Sequence, residues 1–182
     1  AGAGTLAETR ILARGAGRRI DIETAEALTP VGRLRAGGSL AQSSPGAAWD
    51  AVLEAFSLDG ENMQLTMAQP ARIRIEAGRG FWIDRFEAGG RQGRITVRGQ
   101  LTPEGRSDLS VELAGLSGDW PARLAGIPVA AEGLNASLRL AGTRASPEIS
   151  LAGTVRKLDV GGRYLTFAGR FDLAYANRRL RI

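Results

Sequence analysis

The sequence predicts an all-β protein, built as an elongated and strongly curved antiparallel sheet with one short amphipathic helix. Three observations carry this. Short runs alternate apolar and polar residues, as in Gly93-Arg94-Ile95-Thr96-Val97-Arg98-Gly99-Gln100-Leu101, and period two places Ile95, Val97 and Leu101 on one side of a strand. Between Ala71 and Ser107 the runs begin roughly ten to fourteen residues apart, with Gly-containing turns between them, which is the spacing of consecutive antiparallel strands. Several runs end alike, at Leu113-Ala114-Gly115, Leu140-Ala141-Gly142-Thr143 and Leu151-Ala152-Gly153-Thr154. Glycine there lets a strand bend or a neighbour approach closely, so curvature follows.

Taken in order, residues 1–44 read as short strands at 5–12, 19–24 and 32–40, with Ile20 and Ile22 alternating with Asp21 and Glu23. The period then changes. Ser44 before Pro45, followed by Trp49, Val52, Leu53 and Phe56, places apolar residues at i, i+3, i+4 and i+7 behind a capping serine. A helix over 45–57 is expected, packed on the sheet as a lid or plug. Residues 63–182 return to repeated strands, at 63–68, 71–77, 81–88, 93–101, 107–114, 133–141, 148–157 and 164–174. Within 81–88 strict alternation fails, since Arg85 would share a side with Phe81 and Ile83, and this predicts a bulge near Asp84. Trp120-Pro121-Ala122-Arg123-Leu124 suggests one helical turn at a sheet corner. The chain begins on Ala1 and the alternation runs on to Ile182, so a segment of a longer protein is expected, organised as a single β-rich unit over 1–182.

Composition excludes several classes. With no Cys and no His, disulfides, thiol chemistry, imidazole bases and the commonest transition-metal ligands are absent. The net charge of +5 would ordinarily raise nucleic acid as a partner. Lys157 is, however, the one lysine among 24 basic residues, the arginines are interleaved with 19 acidic residues, and the aromatic interleaving that stacks bases is missing. No nucleic-acid partner is expected. Nor does any stretch approach the ~20 continuous apolar residues of a membrane span.

Individual motifs are weak. Gly2-Ala3-Gly4-Thr5-Leu6-Ala7 fits a dinucleotide-binding pattern by letters, without the preceding strand and following helix such a site needs. Asn135-Ala136-Ser137 forms a glycosylation sequon inside a strand. Asp59, Glu61 and Asn62 resemble part of a calcium loop and lack its remaining ligands. Asp84 and Glu112 could act as paired carboxylates only if the fold joined them. No catalytic residue, metal ligand or cofactor is assigned, and the chain is expected not to be an enzyme.

The collective feature is the apolar side of the strands. Ile73, Ile75, Ile95, Val97, Leu101, Leu109, Val111, Leu113, Leu134, Leu138, Leu140, Ile149, Leu151, Val155, Phe167, Phe171 and Leu173 can all point to one side of a continuous sheet. Periodicity alone leaves two arrangements open: a closed β-sandwich whose faces meet as core, or an open sheet whose apolar side is a working surface.

The stretches Gly93 to Leu101, Leu109-Ser110-Val111-Glu112-Leu113-Ala114-Gly115-Leu116, and Gly133 through Gly142-Thr143 and Pro147 to Gly153-Thr154 resemble the β-rich region of the TamB family of translocation and assembly module proteins and its AsmA-like relatives. The likeness covers about residues 71–160. It implies a taco-like trough with an apolar interior, the seventeen residues above lining a groove for lipid. It further implies a periplasmic segment of a parent anchored in the inner membrane of a Gram-negative cell. The trough would shield and conduct phospholipid or other acyl chains toward the outer membrane. A partner barrel resembling TamA would be met through regions outside this chain. The alternative is a chaperone-like or scaffold module for outer-membrane β-barrel assembly, working with an Omp85-type partner by strand addition. A third reading is an enzyme or carbohydrate-binding β-sandwich.

Overall fold

The computed structural model describes residues 8–44, 48–61, 63–118, 129–160, 163–165, 169–177 and 179–181. The strands are β1 (Glu8–Ala16), β2 (Arg19–Thr29), β3 (Gly32–Ser44), β4 (Ala48–Asp59), β5 (Gln64–Met67), β6 (Ala71–Glu76), β7 (Gly80–Gly90), β8 (Gly93–Leu101), β9 (Ser107–Gly118), β10 (Val129–Thr143), β11 (Ser146–Val155), β12 (Lys157–Val160), β13 (Arg163–Leu165), β14 (Gly169–Ala176) and β15 (Arg179–Arg181). All belong to one antiparallel sheet, and its order β1-β2-β3-β4-β5-β7-β8-β9-β10-β11-β14-β15 follows the chain. The predicted meander is what forms. β6 fills the place beside β5, pairing with β4 and β7. β5 and β6 are thus one strand interrupted at Ala68-Gln69-Pro70, where proline has no N–H for the ladder. β12 likewise extends β11 along β10, after a break at Arg156.

The helix expected over 45–57 is not there. Residues 45–47 lie outside the described ones, and from Ala48 to Asp59 the chain is β4, paired with β3 on one side and with β5 and β6 on the other. The reason is a bulge. Gly37 faces Ala55 while Gly38 faces Leu53, so Glu54 is an extra residue in β4. Trp49, Ala51 and Leu53 share a side before it, and Phe56 and Leu58 share that side after it. The step of three across the bulge, read in sequence, imitates helical spacing. The bulge predicted near Asp84 does form, where the β7–β8 register shifts between Ile83 and Phe86. The turn suggested at 120–124 falls outside the described residues.

Directly opposed residues in an antiparallel ladder share a face, so the register assigns faces across the whole sheet. One face carries Ile11, Ile20, Ile22, Leu34, Leu40, Trp49, Leu53, Phe56, Leu58, Leu65 and Met67, continues through Ile73, Ile75, Phe81, Ile83 and Phe86, and runs on to Leu180. Through β1 to β9, β10 from Leu134, β11, β14 and β15, no Asp, Glu, Lys or Arg stands on it. The charges of these strands are on the other face.

Burial along the apolar face is graded. At the end bearing the turns at 30–31, 60–63 and 91–92, Val31, Leu58, Met63, Leu65 and Ala88 form a buried cluster, with Leu34, Phe56, Phe86 and Ile95 packed on it. Phe56 and Phe86 meet edge to face at 5.2 Å, a favoured aromatic geometry. Leu65 is 2% exposed and Leu116 fully buried. No second layer is present among the described residues, and the turn residues Val31 and Met63 are part of the cluster themselves. At the opposite end the same face is open, Ile75 being 44% exposed, Leu101 37%, and Leu138 and Ile149 36% each. The total accessible surface, 11891 Å² for 19.2 kDa, exceeds the ~8,400 Å² of a compact protein of that mass. A two-sheet sandwich is not what these strands form.

Leu65→Ala is expected to cost about 3 kcal/mol through the cavity it leaves, whereas Ile75→Ala, on the same face at the open end, should cost about 1 kcal/mol. Urea denaturation of the two variants checks the gradient, and equal losses would contradict it.

Candidate functional site, the uncharged face

Of the seventeen residues predicted to share one face, sixteen are described, and the register puts all sixteen on it. Cross-strand rows make this concrete. Phe86, Val97, Val111, Leu138, Leu151 and Leu173 lie in one continuous row across β7, β8, β9, β10, β11 and β14. Ala88, Ile95, Leu113, Ala136, Gly153 and Phe171 form the next. Phe81 and Leu101 pair at the open end, and Leu109, Leu140, Ile149 and Tyr175 follow in a third row. Ile73 and Ile75 join through Ile83 and Phe81. Leu134 faces Leu116, and Val155 faces Gly169. Phe167 lies outside the described residues.

Sequence reasoning missed the extension of this face over β2 to β5, where Leu34, Leu53, Phe56, Leu58 and Leu65 belong to it. The signal was present as the recurring spacing two-three-two, in Ala51-Leu53-Phe56-Leu58 and again in Ile20-Ile22-Ala25-Ala27. Each step of three is a bulge.

At the open end the face dips into a recess of 340 Å³ lined by Leu101, Pro103, Ser107, Leu140, Gly142 and Pro147, among others. Ser107 is the small residue that leaves this space, and its hydroxyl is committed to the backbone, accepting from the Thr102 N–H at 3.0 Å and donating to the Thr102 carbonyl at 3.3 Å. Most of the lining is apolar, with Thr102, Thr143 and Arg144 as its other polar residues.

Asn135 is a second residue whose role the sequence hid. Its Oδ1 accepts from the Gly115 N–H at 2.9 Å and its Nδ2 donates to the Gly133 carbonyl at 3.3 Å. Gly115 and Gly133 both have positive φ, 64° and 65°, the conformation glycine adopts without steric cost. They are the bulge residues that return Leu116 and Leu134 to the apolar side. The sequon asparagine is thus a clamp on two bulges.

The opposite face is a lattice of ion pairs. Arg98 reaches Glu112 at 3.3 Å and Arg139 reaches Asp108 at 3.0 Å. Arg35 pairs with Glu26 at 2.9 Å, and Arg85 with Glu87 at 2.6 Å. Exposed pairs of this kind are each worth about 0–1 kcal/mol, so they make the face wet and keep it soluble more than they hold the fold. Glu112 is spent on Arg98, while Asp84 sits in the β7 bulge, so the structure does not join them as a catalytic pair. The hydrogen bond and charge of Arg139 hold the Asp108 carboxyl below the usual carboxylate range, and Lys157 does the same for Glu132.

No family model, curated protein or solved structure matches this chain. What the fold and the face define is a class: a single-layer, one-sided antiparallel β-sheet protein.

Because the folded-state pKa of Asp108 is depressed, the pair's contribution is present above the ordinary carboxylate pKa and is lost as pH falls through the lowered value. Carboxyl-carbon NMR titration should show Asp108 titrating below the ordinary carboxylate range in the parent chain and moving up toward it in Arg139→Gln. Asn135→Ala should cost about 1 kcal/mol, read as a lower denaturant midpoint.

Proposed function

We propose that the uncharged face is a carrier surface for lipid acyl chains, working as a trough that shields them while they cross an aqueous compartment. The single observation that carries this is a face without one charge over β1 to β9, β10 from Leu134, β11, β14 and β15, with Ile75, Leu101, Leu138 and Ile149 still exposed. A monomer that leaves so much contiguous apolar surface in water needs something to cover it. Each methylene transferred from water is worth about 0.8 kcal/mol, so a sixteen-carbon chain gains on the order of 10 kcal/mol. It would be trapped if one position were far better than its neighbours. The rows of Ile, Leu and Val offer near-equivalent positions, which favours sliding over capture. Polar headgroups would remain at the open end, in water.

The resemblance to the TamB and AsmA-like proteins supports the same reading and supplies its setting: a periplasmic segment of an inner-membrane-anchored parent, passing phospholipid toward the outer membrane. A second reading has its own support. Among the described residues β1 pairs only with β2, with Ile11 and Leu12 63% and 55% exposed, and such an edge accepts an added strand, as a chaperone or scaffold for outer-membrane barrel assembly with an Omp85-type partner would require.

Native mass spectrometry and solvent extraction of detergent-free protein test the first reading: co-purified phospholipid is expected, and its consistent absence sinks the proposal. Val111→Arg, in the middle of the row from Phe86 to Leu173, should leave far-UV circular dichroism unchanged and abolish photocrosslinking to an acyl-chain probe. Leu138→Arg, at a more exposed place in the same row, should do likewise. Crosslinking of an unfolded barrel strand to β1 with no lipid bound would favour the second reading.

A further inference from the structure

The charged face contains one residue out of keeping with it. Trp49, Phe56, Phe81, Phe86, Phe171 and Tyr175 all stand on the apolar face, whereas Trp82 stands on the other. It is flanked by Arg74 on β6 and Gln100 on β8 in the same cross-strand row, which continues to Asp50 on one side and Asp108 on the other. It is half-buried. It packs on no other ring, since the one aromatic contact of the described residues is Phe56 with Phe86.

Two recesses meet at this ring. One, of 730 Å³, is walled by Trp82, Asp84, Arg98, Gln100, Asp108 and Arg139, with Ile83 and Gly99 in its floor. The other, of 590 Å³, runs from Trp82 and Asp84 to Arg72, Arg74, Val52 and Asp50. Both volumes fall in the ~300–1,000 Å³ range of small-molecule sites. The larger recess is shaped by two backbone features. The β7 bulge sets Asp84 and Arg85 on the charged face in succession. Gly99, with φ of 111°, lies so close to β9 that an added Cβ would overlap the Asp108 carbonyl.

The chemistry of the walls narrows the ligand. Two carboxylates, Asp84 and Asp108, balance two guanidiniums, Arg98 and Arg139, so the recess has no net charge with which to select a phosphate, a nucleic acid or a cation. Arg139 and Asp108 are tied to each other, and Arg98 to Ser110 and Glu112. Asp84 makes no hydrogen bond or ion pair with the described residues, and Gln100 uses its amide nitrogen on the Arg106 carbonyl at 3.1 Å, leaving its carbonyl oxygen free to accept. A flat ring edged by free acceptors and guanidinium N–H donors suits a neutral ligand with an apolar face and a rim of hydroxyls.

We propose that the recess between β7, β8 and β9 binds a neutral oligosaccharide, stacking a pyranose ring on Trp82 with its hydroxyls donating to Asp84 and Gln100. The site is on the face opposite the acyl-chain surface and stands independently of that reading.

The test is ligand-observed saturation-transfer NMR and calorimetry of the full chain against cellotetraose, maltotetraose and the tetramer of N-acetylglucosamine. At least one should bind, with ring protons saturated. Trp82→Ala should weaken that binding at least tenfold and Asp84→Asn several-fold, both with unchanged thermal melting. Because Trp82 is outside the packed apolar face, loss of binding can be separated from loss of fold. Arg170→Gln, on the charged face of β14 and away from the recess, should bind as the parent does. Failure of all three sugars to bind at 10 mM overturns the proposal, as does binding that survives in Trp82→Ala. Salt-sensitive binding of heparin with no binding of the neutral sugars also overturns it, and would assign an anion surface instead.

Discussion

The constraint on which everything else depends is that a single-layer sheet has only one side to hide. With no helix and no second sheet among the described residues, hydrophobic burial has to come from one face, and that works only if every strand presents the same side in the same sense. One strand out of phase would put a charge on the apolar side and a leucine in water, because the side-chain period is two. Bulges reconcile this requirement with curvature. At Glu23, Glu54 and Asp84-Arg85 an extra residue lets two successive side chains face solvent, after which the apolar alternation resumes on its original side. Gly115 and Gly133 do the same for β9 and β10, where Asn135 clamps them.

Packing then divides the face into two regimes. Near the Val31 and Met63 turns the cluster around Leu65 is as dry as a conventional core, and it supplies the stability. Toward the far end the same residue types are left partly in water, and the surface exceeds what a compact protein of this mass would show. A closed end that holds the fold and an open end that exposes uniform aliphatic rows are compatible in one sheet because stability does not require every row to be buried.

The other face is organised by different physics. Arginines placed opposite carboxylates in neighbouring strands neutralise one another locally, so a basic protein carries no large one-sign field. Against that background Trp82 and Asp84 stand out: Trp82 by plain alternation between Phe81 and Ile83, Asp84 by its place in the β7 bulge. The device that keeps the apolar face continuous also opens a recess on the charged one.

The sequence by itself determined the strands, their antiparallel order, the shared apolar side and the bulge at Asp84, because all of these are written in local alternation, which is period two whatever the distant contacts. It misled at 45–57, since a bulged strand and a helix both place apolar residues three apart, and only pairing with β3 and β6 separates the two. It did not reveal Asn135 as a clamp or Trp82 as the wall of two recesses, for these depend on which residues lie across the ladder. That all fifteen strands join in one sheet rather than two was decided by tertiary structure alone, because strand pairing is a contact between distant residues and no local pattern records it.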